Sequence, residues 1–368
     1  MKMKSVLFTV LLTWGCAFLL RSQTIESINS NFPLQSVILP DTKAEEWKEI
    51  RSRIRNRILA TWGTSPESIE PRKNKYYIVE KYKKFGLDHY IIKYHVTANI
   101  WDKAIIVFPP DFSAKKMYKG FVAVHGSNLN LGGYQNTDLE KYPRRAYAYE
   151  MAMKGFVSIA PDHFGFGDTL GTKPAEKQKE IFMDFQKQYP EWTVVGRQML
   201  GFIRALDVLD QLPYIEKGTY SAMGNSLGGR TSFYLAAIDE RLKATVLSTG
   251  VSPFSSNEYR GLIKHKDQYA TYWDQVIKKG KFPYEVQEML ALIAPRSLLI
   301  LEPFNDPYNP YTSITAQAVF LAEEVWRLLN AEKNINLLIH GDGHDTVDNI
   351  RDYAYNWIQI NVKTDVGK

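Results

Sequence analysis

The sequence predicts an α/β protein with a mainly parallel central sheet, flanking helices, an N-terminal helix and antiparallel strands at one edge. Two observations carry this. From Phe121 onward, short continuously apolar runs alternate with longer segments of helical period, the pattern of crossover units whose strands are buried on both faces. Before Phe121, three runs instead alternate apolar and polar residues, as strands with one covered face do. Length and composition agree: 368 residues, 45% hydrophobic and 23% charged, suffice for a large core without a disulfide or metal staple.

The N-terminal MKMKSVLFTVLLTWGCAFLLRSQT sets two lysines before an apolar run from Val6 to Leu20. This is the pattern of a secretory signal peptide, expected over residues 1–23, and the run is short for a spanning helix of about 20 residues. The expected location is secreted or periplasmic, with no membrane attachment in the mature form. Cys16 is the single cysteine. The bulky Trp14 before it and the apolar Ala17-Phe18-Leu19-Leu20 after it argue against an acylated lipoprotein cysteine. Its removal would leave no thiol for a disulfide or a cysteine metal site. The formal charge of +6 includes Lys2, Lys4 and Arg21 from this segment. The remaining basic residues are interspersed with acidic ones, so nucleic acid is not an expected partner.

An N-terminal helical extension follows over residues 24–70. Within it, Ala44 to Trp62 is helical by pattern, with Trp47, Ile50, Ile54, Ile58 and Leu59 on one face. The catalytic domain is expected over 71–368. It begins with strands at Tyr76–Tyr82, Tyr90–Val96 and Ala104–Phe108, the last closed by Pro109-Pro110. Strands are then read at Phe121–Val124, Gly155–Ala160, Tyr220–Met223, Lys243–Ser248, Ser297–Leu301 and Ile335–Ile339. Helices are read at Tyr142–Lys154, Trp192–Leu212, Leu227–Ile238, Ser313–Leu329 and Thr346–Ile360. The polar segment 169–190 has two readings, a small lid over a site or a surface excursion. No internal repeat or low-complexity stretch is present.

The chemistry concentrates at Gly224-Asn225-Ser226-Leu227-Gly228, between a strand and a helix. A serine nucleophile on a strand-to-helix elbow needs nearly bare neighbours two positions to either side, because the turn is too tight for side chains there. The helix N-terminus beneath it offers N–H groups to a developing oxyanion. A serine hydroxyl needs a base. INLLIHGDGHDTVDN offers His340, which ends a strand, and His344, which follows Gly343 in a loop and is free to project over the strand ends; His344 is the expected base. A metal reading of His340, Asp342, His344 and Asp345 lacks a third clear ligand cluster. SLLILEPFNDPYNP offers Asp306, in a loop after a strand, and Glu302, at the strand end itself; the loop position favours Asp306 as the acid that orients the imidazole. Oxyanion donors are expected from the N–H of Leu227 and from VAVHGSNLNLGG, where Ser127 is the first choice and Asn128 the second. His125 is read as a structural histidine orienting that loop. In APDHFGFGDT, Asp162, Gly165, Gly167 and Asp168 are read as shaping a loop beside the site, and His163 as a satisfied loop histidine.

The order Ser, Asp, His, together with VHGS, APDHFGFGD, GNSLGG, IAPRSLLILEPFNDPYNP and GDGH, resembles the α/β-hydrolase superfamily. Within it the chain looks most similar to secreted dienelactone-hydrolase-like and acetyl-xylan-esterase-like serine esterases, over roughly residues 70–362. Glu302-Pro303-Phe304 departs from the small polar turn usual there, and Asn225 stands where lipases often have histidine. The resemblance implies Ser226 as nucleophile, Asp306 as acid and His344 as base, with no cofactor or metal. It implies cleavage of a small-molecule or carbohydrate ester. Two other readings stay open: a prolyl-oligopeptidase-like peptidase, for whose propeller the N-terminal segment is too short, and a non-catalytic binding protein on a hydrolase scaffold.

Overall fold

In a computed structural model, residues 34–254 and 283–362 are described; the signal-peptide segment and Cys16 lie outside them. Nine strands form one sheet in the order β1-β2-β3-β5-β4-β6-β7-β8-β9. They are β1 (Tyr76–Lys84), β2 (Leu87–Thr97), β3 (Ile100–Val107), β4 (Tyr118–Val124), β5 (Val157–Pro161), β6 (Ile215–Asn225), β7 (Leu242–Ser248), β8 (Ser297–Pro303) and β9 (Ile335–His340). β4 through β9 are parallel, while β1 pairs antiparallel with β2, β2 with β3 and β3 with β5. The antiparallel extension at one edge is therefore present as expected.

The helices are α1 (Ala44–Ala60), α2 (Tyr147–Met153), α3 (Pro174–Gln188), α4 (Val194–Gln211), α5 (Leu227–Ile238), α6 (Val286–Ala291), α7 (Thr312–Leu328) and α8 (Asp348–Asn361). Alternate residues of each central strand feed two cores. Val122 and Val124 of β4 join Trp47, Ile54 and Ile58 of α1 with the apolar faces of α4, α5 and α7. Phe121 and Ala123 face α2 and α8 on the other side. The result is a three-layer α/β/α arrangement.

The apolar pattern located most elements; its errors lie at their ends and in two helices it did not mark, α3 and α6. β6 starts five residues before Tyr220, because Ile215 pairs with Tyr118 across polar positions that carry no apolar signal. α2 starts at Tyr147 and not Tyr142, since residues 137–146 run as turns. The six-residue α6 went unread because it spans under two turns, too short to show a period.

Segment 169–190 contains α3, which docks by burying Phe182 and Phe185. Phe185 meets Phe164 at 5.1 Å and Trp192 at 5.3 Å between ring centroids. A buried Arg197–Asp102 fork, at 2.9 and 2.5 Å, ties α4 to β3.

Among the described residues no helix is long and apolar enough to cross a membrane.

Candidate active site

The register puts the three key residues beyond one edge of the sheet. Asn225 pairs with Ser248, Ser248 with Leu301, and Pro303 with His340. Ser226, Asp306 and His344 follow these strand ends by one, three and four residues.

Ser226 links β6 to α5 with φ 60° and ψ −119°, a conformation that costs a non-glycine residue of order 1–3 kcal/mol and persists only where its surroundings hold it. They do. Its N–H donates to the Ser248 carbonyl at 2.9 Å and to Thr249 Oγ1 at 3.0 Å, and its carbonyl accepts the Arg230 N–H at 2.9 Å. The flanking glycines are required by contact. A Cβ on Gly224 would lie 2.3 Å from the Gly228 carbonyl carbon; one on Gly228 would lie 2.2 Å from the Val124 carbonyl oxygen, and one on Gly229 2.4 Å from that of Ser248. The elbow is thus wedged between the ends of β4 and β7. The same closeness brings the loop after β4, carrying exposed Ser127, alongside the N-terminus of α5, where half-buried Leu227 begins the helix.

His344 Nδ1 lies 2.6 Å from Asp306 Oδ2. The carboxylate can only accept, so Nδ1 carries a proton; in the neutral ring the lone pair is then on Nε2, which is the tautomer a base requires. Burial pushes the Asp306 carboxyl up. The bond from His344 and the backbone N–H groups of Tyr308 and Asn309 outweigh that and hold it below the usual carboxylate range. The Tyr308 ring packs edge-on against His344, with centroids 4.9 Å apart.

Glu302, the competing acid, is fully buried and turned elsewhere. It accepts the Val251 N–H at 3.2 Å and Asn309 Nδ2 at 3.0 Å. His340 is buried, with Nδ1 3.3 Å from an Asp342 oxygen; burial lowers its proton affinity, and Asp342 opposes that. Asp345 pairs with Arg144 and Arg145. Of the four residues of the metal reading, His340 and Asp342 face each other while His344 and Asp345 turn to other partners, and no group of three His, Cys, Asp or Glu with metal-holding geometry occurs among the described residues.

A polar chain joins elbow and histidine loop. Asn225 Nδ2 donates to Ser248 Oγ at 3.2 Å and to Thr249 Oγ1 at 2.7 Å, and Ser248 Oγ meets Thr346 Oγ1 at 2.9 Å. One end of the chain is the residue before Ser226, and the other is two residues past His344.

A second buried network lies beneath. His125 Nδ1–H donates to its neighbour's carbonyl, Gly126 O, at 2.7 Å. Its Nε2 accepts the N–H of His163 at 2.9 Å and the His163 Nδ1–H at 2.8 Å; His163 Nε2 in turn meets Thr231 Oγ1 of α5 at 2.9 Å. Burial lowers the His125 imidazole to about 4 and His163 well below its ordinary value. Both rings are neutral and bridge the loops after β4 and β5 to the helix behind Ser226. Asp162 accepts the Gly133 N–H at 2.6 Å and lies 3.4 Å from Lys103 Nζ, which also bonds Asp168 at 2.8 Å. Asp162 and Asp168 shape that loop, as expected of them. The sequence carries no signal for the polar chain through Asn225, Ser248 and Thr346.

No family model matches the chain. The YtaP protein of Bacillus subtilis, whose name classes it as a hydrolase, is 27% identical over 191 residues, 50% of this chain and 59% of that protein. Dipeptidyl-peptidase 5 of Porphyromonas gingivalis is 29% identical over 147 residues, 40% of this chain and 19% of that protein. The chain's matches thus span less than two thirds of these curated relatives. Among solved structures, a glucuronoyl esterase from Solibacter usitatus superimposes with a TM-score of 0.69 at 14% identity, covering 90% of this chain and 98% of the other. A Bacteroides fragilis protein described as an acetyl xylan esterase gives 0.61 at 14% identity, covering 86% and 81%. At such identities the likeness is one of fold: the chain has the α/β-hydrolase fold.

Proposed function

We propose that this chain is an exported serine hydrolase that cleaves carboxylic esters, with a carbohydrate acyl ester as its substrate. The observation that carries the reading is the conjunction on one sheet edge of a strained Ser226 elbow and a 2.6 Å imidazole–carboxylate pair, joined through Asn225, Ser248 and Thr346.

In this reading His344 Nε2 takes the Ser226 proton as Oγ attacks the ester carbonyl. Asp306 holds the ring and stabilises the imidazolium. The N–H groups of Leu227 and Ser127 receive the oxyanion at the start of α5, where the helix dipole also favours negative charge. His344 then protonates the leaving alcohol and later activates the water that frees the acyl group. The chemistry uses only this chain's side chains and backbone. The sugar-ester preference is supported by the esterase names among the fold neighbours, and export by the charge and apolar pattern of residues 1–23.

The test is a substrate panel of acetylated, feruloylated and lactone or uronate esters, run with labelling by a fluorophosphonate probe. Turnover and labelling are both expected to vanish in Ser226→Ala, with a rate loss of at least about 10³-fold. Retention of full activity by that variant removes the proposal; labelling without ester turnover points to an acyl donor other than these esters. A peptidase is the second reading, favoured by the local similarity to a dipeptidyl-peptidase. Faster turnover of a proline-containing peptide amide than of an acetyl ester would establish it.

A further inference from the structure

We infer that the loop bearing His344 is held in place by two side-chain clamps, Asn305 and Arg145, which act as positioning residues for the imidazole. What the imidazole does rests on the serine-hydrolase reading; what holds it rests on geometry alone.

The loop from Gly341 to Thr346 needs holding. Gly343 has φ +66° with no atom within 4 Å of where its Cβ would lie. The His344 side chain is 21% exposed, and its ring has one short bond, to Asp306. The Asp306 bond and the edge-on Tyr308 ring hold the imidazole itself, but neither fixes the backbone that carries it, and a shift of that backbone would carry Nε2 away from the serine.

Asn305 grips the loop on its entry side. Its Nδ2 donates to the Gly341 carbonyl at 2.6 Å, and its Oδ1 accepts the Gly343 N–H at 2.9 Å. One amide thus spans the three residues that lead into His344. Asn305 also immediately precedes Asp306, so the turn that presents the carboxylate fixes the backbone that presents the imidazole.

Arg145 grips the exit side. Its Nη1 donates to Asp345 Oδ1 at 2.5 Å, and its Nη2 reaches the His344 carbonyl at 3.4 Å. Asp345 Oδ1 also accepts the Thr346 N–H at 2.8 Å, which folds the acidic side chain back onto its own loop. Arg144 takes the other carboxylate oxygen at 2.7 Å, but its side chain is 56% exposed against 20% for Arg145. The enclosed guanidinium therefore carries the clamp. A planar fork can hold a carboxylate and a carbonyl together, whereas a lysine ammonium is a single point charge. The Asn305 bonds are exposed, and the part-buried Asp345 carboxylate keeps Arg144 when Arg145 is truncated, so losing either clamp weighs little on global stability. Their effect falls on placement, to which rate is far more sensitive.

The experiment compares full-length Asn305→Ala, Arg145→Gln, Arg145→Lys and the Asn305→Ala/Arg145→Gln pair. The first readout is kcat and KM on a small aryl ester. Each single truncation is expected to lower kcat by about tenfold, with KM nearly unchanged, and Arg145→Lys to fall between. The second readout is independent of turnover: in a Ser226→Ala background, the downfield NMR resonance of the His344 Nδ1 proton reports its short bond to Asp306. The resonance is expected with both clamps intact and is expected to broaden away in the double variant, while thermal unfolding moves little. A resonance that survives in the double variant overturns the inference, as does its absence when both clamps are intact. A kcat loss that merely tracks a lowered melting temperature overturns it too. Should the parent protein hydrolyse no ester at all, the serine-hydrolase reading falls alone, and the resonance still decides the clamps.

Discussion

Asp306→Asn is nearly isosteric, so its consequences follow from donors and charge. In the native site both carboxylate oxygens accept: Oδ1 from the Tyr308 N–H at 2.7 Å and Oδ2 from His344 Nδ1 at 2.6 Å, with the side chain fully enclosed. An amide has one accepting oxygen. If its NH2 faces Tyr308, two buried donors oppose each other, at a cost of about 1–3 kcal/mol. If the NH2 faces His344, the backbone bond survives and the imidazole shifts its proton to Nε2. The second arrangement wins, because a neutral imidazole changes tautomer more cheaply than a buried N–H loses its acceptor. The proton then sits on the atom that, in the proposed mechanism, receives one from Ser226. The expected loss is about 10⁴-fold in kcat, equivalent to about 5 kcal/mol of transition-state stabilisation, with folding stability changed by no more than about 1–2 kcal/mol. Steady-state hydrolysis of an aryl ester, paired with the melting curve, measures both. A folded variant that keeps more than a tenth of parental activity refutes the assignment. Glu302→Gln is the matched comparison. It disturbs the bonds to Val251 and Asn309 and is expected to lower stability while sparing most of the rate; the reverse pattern would transfer the acid's role to Glu302.

Two further outcomes test the surroundings of the site. Gly228→Ala places a Cβ 2.2 Å from the Val124 carbonyl oxygen and 2.8 Å from that of His125, so the end of β4 must yield, at about 3 kcal/mol, and the loop carrying Ser127 moves with it. Gly155→Ala meets no atom within 4 Å and bears only the strain of φ +91°, about 1–2 kcal/mol; equal melting-temperature losses for the two would contradict the wedge. The second concerns acid stability. His125 is neutral in the fold down to about 4, against 6.5 when unfolded, so the unfolded state binds more protons in that window. Stability is full above about pH 6.5 and declines towards pH 4, by about 3 kcal/mol from this group. Burial lifts Asp162 to about 6, against the pull of Lys103 and the Gly133 N–H. Its contribution is present at low pH and lost as pH rises through 6, so it partly offsets the histidine. Melting temperature between pH 7 and 4 should therefore fall more steeply in Asp162→Asn than in the parent, and a parent curve as steep as the variant's would be the contrary result.

Local signals made much of this protein legible without coordinates. Continuous apolar runs located the parallel strands, because burial on both faces requires them. GNSLGG announced the elbow, because only bare residues fit where β4 and β7 press on it. The placement of Asp306 and His344 on loops past strand ends followed from chain order, since parallel strands leave their C-terminal loops on one edge.

What pairs across long separations could not be read. Nothing in Arg144-Arg145 indicates that Arg145 meets an acid 200 residues later. Nothing in isolated threonines and serines foretells the Asn225–Ser248–Thr346 chain, or the His125–His163–Thr231 bridge beneath it. A sequence encodes periodicity and turn chemistry residue by residue, because backbone sterics and side burial act locally. Which polar atoms finally satisfy one another is decided only when packing brings distant segments within about 3 Å, and that packing is a property of the whole sheet.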